Sequence, residues 1–295
     1  MNIIETKNLT KKYGQQVAVD QLNIKIPAGK LTGYLGTNGA GKSTTIQMLT
    51  KTLTPSSGEI YYSNNKGRKN IGVVFQNSIL DNELTVFENL FLRGKMYQTV
   101  EKDEIISLME KTGVSSFSKR KYGNLSDGMR RKVDITRALI NQPVLLFLDE
   151  PTTGLDPQSR KEIWELLNEL KQNGLGIFLT THYLEEAEFA DYIYILEKGK
   201  ILEEGSAYEL KKKYGQTIVN LFSNQMIALE KKLKNYHMSK KSEHNIEVCI
   251  ENKEEVISLL RQVEELIFDF SYHPIGMNDV FLKITGKEFK HDSVV

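Results

Sequence analysis

The chain has 295 residues, and 39 Lys plus Arg against 38 Asp plus Glu leave a formal net charge of +1, which excludes a strongly basic nucleic-acid footprint over the whole molecule. Hydrophobic residues make up 40% and charged residues 26%, the balance of a globular protein with room for one large or two ordinary domains. A single cysteine, Cys249, rules out an internal disulfide and fits a reducing compartment. No apolar run approaches the roughly 18 residues that a membrane helix needs, and Met1–Lys7 lacks the pattern of a signal peptide. The expectation is a cytosolic protein whose membrane role, if any, comes through a partner.

In chain order, Ile24 and Ile26 alternate with Lys25 before a turn at Pro27-Ala28-Gly29-Lys30. Leu31–Gly36 is a short apolar strand that enters a glycine-rich loop, and Ser43–Thr52 has helical spacing with Ile46 and Leu49 on one side. The continuous apolar runs Ile71–Phe75, Val144–Leu148, Ile177–Leu179 and Tyr192–Leu196 suit strands buried on both faces. Helices between them, such as Arg160–Gln172 around Trp164, imply an α/β fold with a largely parallel sheet. The texture changes at Lys211-Lys212-Lys213, a run that reads as a solvated helix end. Beyond it, Asn245–Glu251 alternates as a half-buried strand, and Val256, Ile257, Leu260, Val263 and Ile267 recur at helical spacing. Phe268 and Phe270 alternate again. The expected domains are 1–215 and a small α+β domain over 216–295.

Gly36-Thr37-Asn38-Gly39-Ala40-Gly41-Lys42-Ser43 matches G-x-x-x-x-G-K-[ST] between a strand and a helix, the setting of a P-loop. Glycines let the backbone close around phosphate, and successive N–H groups with the helix N-terminus attract the anion. Lys42 is placed to reach the β- and γ-phosphates and the Ser43 hydroxyl to ligate Mg²⁺, with Thr44 next in the nucleotide cradle. The strand Val144–Leu148 ends in Asp149-Glu150, which suit an Mg²⁺ shell and a general base for the attacking water.

These two motifs alone define only a P-loop nucleotidase. Leu125-Ser126-Asp127-Gly128-Met129 opens a helix over Arg130–Ile140 and resembles the L-S-G-G-Q signature of ATP-binding cassette (ABC) ATPases, with Asp127 for the first glycine and Met129 for glutamine. The order P-loop, Gln76, signature, Asp149-Glu150, His182 fits that family over residues 3 to about 215. The resemblance implies a RecA-like mixed sheet with a helical subdomain. It also implies that Tyr13 stacks on adenine, that Gln76 links Mg²⁺ and water to a transporter interface, and that Gly154-Leu155-Asp156 crosses to a second subunit. His182 would contact the γ-phosphate, and Ser126 and the Gly128 N–H would bind that phosphate from the opposite copy. The implied cofactors are ATP and Mg²⁺. The implied partners are a second copy of the chain and an integral membrane permease subunit, with no nucleic acid, at the cytoplasmic face of the membrane. Residues 77–87 would line the groove for the membrane subunit's helix. Gly276-Met277-Asn278-Asp279-Val280-Phe281-Leu282-Lys283-Ile284-Thr285-Gly286 resembles the ending of ATPases from drug, antibiotic and peptide exporters.

A soluble ABC ATPase acting on a macromolecular assembly is the alternative. The chain has one P-loop and no insertion long enough for a coiled coil between Lys42 and Asp149, which disfavours it. A GTPase is disfavoured because Asn252-Lys253-Glu254-Glu255 ends the guanine-reading pattern in Glu instead of Asp.

Overall fold

The computed structural model describes residues 1–63, 71–97, 100–215, 217–250 and 253–286, in two compact units, 1–206 and 207–295. In chain order the first unit contains β1 (Asn2–Tyr13), β2 (Gln16–Leu22), β3 (Lys25–Pro27), β4 (Leu31–Gly36), α1 (Lys42–Leu49), β5 (Ser57–Tyr62) and β6 (Ile71–Val74). There follow α2 (Val86–Lys95), α3 (Lys102–Lys111), α4 (Asp127–Leu139), β7 (Leu145–Asp149), α5 (Pro157–Gln172), β8 (Gly176–Thr181), β9 (Tyr192–Glu197) and β10 (Lys200–Gly205).

The central sheet has six strands in the order β10-β9-β4-β8-β7-β6, parallel from β9 to β6, with β10 antiparallel on the edge. Every residue of β4, β7 and β8 is buried, which is why those strands read as unbroken apolar runs. In a separate antiparallel sheet β1 pairs with β2, β3 and β5; of these only β3 left a mark in the sequence, at Ile24–Ile26, because the others alternate polar and apolar residues irregularly and carry register shifts. The core between these layers is aromatic at its centre. Phe178 lies 5.1 Å from Tyr34 and 5.4 Å from Phe147, ring centre to ring centre. Phe178 is fully buried, so Phe178→Ala should cost about 3–5 kcal/mol, read as a lowered unfolding temperature by calorimetry. An unchanged midpoint would contradict the packing.

Three helix boundaries differ from the sequence expectation, each for a local reason. Helix α1 stops at Leu49 instead of Thr52, because the Thr50 hydroxyl donates to the Ile46 carbonyl at 2.8 Å and Lys51 turns left-handed at φ 59°. Helix α5 begins at Pro157 instead of Arg160, because the Asp156 carboxylate accepts the Ser159 N–H at 3.0 Å and Pro157 suits the first turn. Helix α4 begins at Asp127, with Ser126 as the N-cap accepting the Met129 N–H at 3.3 Å.

Helices α2, α3 and α4 share a core of Val86, Leu90, Ile105, Met109, Val133 and their neighbours. This helical bundle divides the apolar residues of 77–87 between core and groove. Leu80, Val86 and Phe87 pack into the bundle core, and of that stretch Ile79 faces a groove of about 800 Å³ together with Phe75, Met96, Tyr97 and Arg137.

The second unit contains α6 (Ala207–Tyr214), β11 (Thr217–Phe222), α7 (Met226–Lys232), β12 (His237–Lys240), β13 (Asn245–Ile250), α8 (Lys253–Val263), β14 (Asp269–His273) and α9 (Met277–Thr285). Its four strands form an antiparallel sheet, β12-β13-β11-β14, around a core that includes Val219, Leu221, Val248, Leu229 and Leu259. The division falls at 206/207, ahead of the expected 215/216, because α6 packs against α9. Ile267 lies beyond α8, in the connection to β14. Helix α9 is capped at both ends. Asp279 accepts the Gly276 N–H at 2.9 Å, and Gly286 is left-handed at φ 67°. Among the described residues no helix is long and apolar enough to cross a membrane.

Candidate functional site

The turn from β4 into α1 is shaped by its glycines. Gly41 sits at φ 99°, and a Cβ there would lie 2.4 Å from the Ala18 carbonyl oxygen, so no larger residue fits. This packs the loop against the β1–β2 hairpin. A further link comes from the β9–β10 turn, where the Gly199 N–H donates to the Ala40 carbonyl at 3.1 Å.

A cleft of about 680 Å³ opens on the loop, lined by Tyr13, Asn38, Gly39, Gly41, Lys42, Ser43, Thr44, Gln76 and Glu150. Nine of the residues singled out in the sequence thus meet at one place. Gly36, Thr37 and Ala40 support the loop. The carbonyls of Gly36 and Thr37 accept from Lys42 Nζ at 2.8 and 3.3 Å, and Ala40 is buried. Gln16, Val17, Ala18 and Lys198 also line the cleft. The sequence offered no signal for them beyond the Tyr13-Gly14 turn, since they arrive through the β1–β2 and β9–β10 pairings.

Lys42 is 6% exposed, and its ammonium lies 3.4 Å from Glu150 Oε1. Glu150 Oε2 lies 3.3 Å from His182 Nδ1, within ion-pair distance but too poorly angled for a well-formed hydrogen bond. Glu150 is held in a left-handed conformation at φ 48°. Its N–H donates to Thr180 Oγ1 at 3.0 Å, and Thr180 Oγ1 donates to Asp149 Oδ1 at 2.6 Å. One hydroxyl on β8 therefore orients both acids at the end of β7. His182, and then the Lys42 ammonium, pull the Glu150 carboxyl down from 4.5 to about 2, against the opposing effect of burial. Because the folded value is depressed, this contribution to stability is present above about pH 4.5 and is lost as pH falls towards 2.

Asp149 is buried at the strand end and does not line the cleft itself. The oxygens of Ser43, Gln76 and Asp149 are hard donors that suit Mg²⁺. Among the described residues no group of three or more His, Cys, Asp or Glu converges to hold a metal alone.

Ser126 and Gly128 stand apart from this cleft, at the start of α4. A Cβ on Gly128 would lie 2.3 Å from Ser159 Oγ, so the helix start packs closely on α5. Downstream in α4, Arg131 donates to the carbonyls of Phe75 (2.9 Å) and Gln76 (3.2 Å), and Arg137 donates to that of Val73 at 2.6 Å. Ser78 Oγ donates to Asp134 Oδ1 at 2.7 Å. Burial raises the Asp134 carboxyl above its ordinary value, against the pull of Ser78, Arg131 and Arg137. The loop carrying Gln76 is thereby fastened to the helix that Ser126 caps. None of these anchors was read from the sequence. Asp156, expected at a subunit crossing, also serves as the cap of α5.

Residues 19–153 match the ABC transporter family. The Nod factor export ATP-binding protein I of Cupriavidus metallidurans is 35% identical over 303 residues, covering 98% of this chain and 99% of that protein. The daunorubicin/doxorubicin resistance ATP-binding protein DrrA of Streptomyces peucetius is 39% identical over 229 residues, 74% of this chain and 69% of that one. Among solved structures, a dimeric bacterial ABC transporter cassette superposes with a TM-score of 0.63 at 29% identity, covering 69% of this chain and 98% of the other. Together with the P-loop cleft and the acids at the end of β7, these likenesses place the chain in the ABC transporter family, as one of its ATP-binding and ATP-hydrolysing proteins.

Proposed function

We propose that this chain powers an exporter whose channel is a separate integral membrane subunit, and that two copies close head to tail around ATP. The observation that carries the reading is the division of the anion-binding groups. The P-loop, Lys42, Gln76 and Glu150 share one cleft, while the helix end bearing Ser126 and Gly128 lies outside it. A second copy would bring its α4 N-terminus to the γ-phosphate, where unpaired N–H groups and the helix dipole favour the anion. The test is the mass of a Glu150→Gln form with ATP and Mg²⁺, alone and beside its membrane subunit. A pair held by ATP is expected, and a monomer under both conditions would overturn the reading.

Within one copy the P-loop amides and Lys42 bind the β- and γ-phosphates, and Tyr13, half-exposed at the end of β1, stacks on adenine. Ser43, Gln76 and Asp149 hold Mg²⁺, which neutralises phosphate charge when bound. Glu150 takes the proton of the attacking water, and His182 holds Glu150 and faces the γ-phosphate. A phosphate competes with Glu150 for the Lys42 ammonium, the lesser of the two groups that hold its carboxyl down, while His182, the larger, remains beside it.

The groove with exposed Ile79 and Met96 is the receiving surface for a cytoplasmic helix of the membrane subunit. Because Phe75 lines this groove and Gln76 lines the cleft, adjacent residues carry the coupling. The chain would sit at the cytoplasmic face of the membrane as a peripheral subunit, with the second unit, from residue 207, as an accessory regulatory domain. The exported compound is a drug, antibiotic or amphipathic peptide, by analogy with relatives named for Nod factor export and daunorubicin/doxorubicin resistance. Accumulation of such compounds in cells lacking the chain tests this, and unchanged efflux of every class would refute it.

Asp127 restrains the cycle. It lies exposed in the first turn of α4, where an acid stabilises the free helix. In the closed pair the same carboxylate approaches the γ-phosphate, and at about 4 Å in water the repulsion is about 1 kcal/mol. Asp127→Gly should raise basal phosphate release about fivefold. An unchanged or lower rate would remove the role.

A further inference from the structure

Glu186 is 3% exposed and takes no part in the chemistry described above. It lies in the short 3₁₀ segment Leu184–Phe189 that follows His182. Its Oε1 accepts from the Thr152 hydroxyl and, at 3.2 Å, from the Trp164 indole N–H. Its Oε2 accepts from the Thr181 hydroxyl at 2.7 Å. These three neutral donors come from three parts of the fold: the turn after Glu150, helix α5 and the end of β8. A buried carboxylate is costly unless its oxygens are satisfied, so the donors and the acid hold one another in place.

The geometry at Thr181 reaches further. Its hydroxyl proton is committed to Glu186, which leaves a lone pair for the Tyr183 N–H at 2.9 Å. That bond closes the backbone around His182. On the other side, Thr152 belongs to the turn in which the Leu155 N–H donates to the Thr152 carbonyl at 3.2 Å and Thr153 Oγ1 lies 3.4 Å from Glu150 Oε2. Both turns therefore converge on one side chain.

We propose that Glu186 is a positioning residue for hydrolysis, tying the turn that follows Glu150 to the turn that holds His182. The two groups facing the γ-phosphate then keep their 3.3 Å spacing and move as one when nucleotide binds. The inference rests on the roles of Glu150 and His182 given under Proposed function. The chain has a single tryptophan, and its indole N–H donates to the same carboxylate, so Trp164 is a built-in reporter of this junction.

Glu186→Gln is the discriminating substitution. An indole N–H can only donate, so the Gln oxygen must take the Oε1 position. The amide NH₂ then faces Thr181 Oγ1, so the Thr181 hydroxyl proton loses its acceptor and must turn away from residue 186. The change strikes the His182 turn while Trp164 and Thr152 keep their acceptor. We expect kcat to fall by about tenfold to a hundredfold, as small misplacements of reacting groups do, with KM for ATP within about twofold. We also expect ATP to change Trp164 emission in the native chain and to leave it unchanged in Glu186→Gln. Thr181→Val, which removes the hydroxyl at similar volume, should reproduce the loss of kcat, and it carries the test if Glu186→Gln does not fold. Per mole of folded protein, a kcat within about twofold of native, or a fall matched by an equal loss of ATP binding, would overturn the proposal. Displacement of a fluorescent ATP analogue from the native chain is measured alongside. A native chain that binds no ATP refutes the nucleotide reading, whereas one that binds ATP with normal kcat in both variants refutes only the role of Glu186.

Discussion

Glu150→Gln should reduce steady-state phosphate release by about 10²–10⁴-fold while leaving ATP binding intact. The amide matches the carboxylate in size but cannot take a proton from water. It also withdraws the negative charge that lies 3.4 Å from the Lys42 ammonium, so Lys42 is no longer shared between Glu150 and an incoming phosphate. Affinity for ATP should therefore be equal to or higher than native, and the loss should fall on kcat alone. Phosphate release together with equilibrium dialysis of ATP separates the two. Turnover above a tenth of the native rate, with the protein folded, would mean that another group accepts the proton. One consequence follows for acid stability. The substitution removes a carboxyl depressed to about 2, so the variant should lose less stability than the native chain as pH falls from 4.5 towards 2.

Lys42→Met should act on the other half of the reaction, weakening ATP binding by about a hundredfold, within the 2–5 kcal/mol that truncating one partner of a buried charge pair costs. Met keeps most of the stem that fills the loop and removes the ammonium. The Gly36 and Thr37 carbonyls then lose their donor, and Glu150 loses its cation in a site that is only slightly exposed. The Glu150 carboxyl should rise accordingly, although His182, the larger influence on it, remains. Isothermal titration with ATP measures the first effect. Native affinity in this variant would show that the loop amides alone hold the phosphates. The two substitutions separate binding from chemistry, since the Glu150 variant should bind without turning over and the Lys42 variant should fail at binding.

The contrast with Glu186 is instructive. Glu150 is charged beside a cation and an imidazole, and both hold its carboxyl down. Glu186 is a carboxylate surrounded by neutral hydroxyl and indole donors, an arrangement suited to holding geometry. Arg131 and Asp134 serve the loop of Gln76 in the same manner, from the helix that begins at Ser126. The loop of Gln76 and the acids at the end of β7 are thus each fastened by side chains outside the cleft.

The amino-acid sequence by itself determined the parts whose physics is local. A strand, a glycine-rich turn and a helix start within thirteen residues of one another form the phosphate loop, and an apolar strand run ends in Asp149-Glu150 because a chain buried on both faces meets polar groups only where it leaves the sheet. Periodicity was enough to place those strands, since their burial is complete. It failed for β1, β2 and β5, where half-exposed strands with register shifts carry no clean alternation. It also misplaced helix ends decided by single hydrogen bonds at Thr50 and Asp156. Only the tertiary structure decided which distant residues meet. Arg131 reaches Phe75 across 56 positions, and Thr152 reaches Glu186 across 34. Such contacts depend on strand order and helix packing, which are set by the summed burial of the whole core and leave no mark in the few residues on either side.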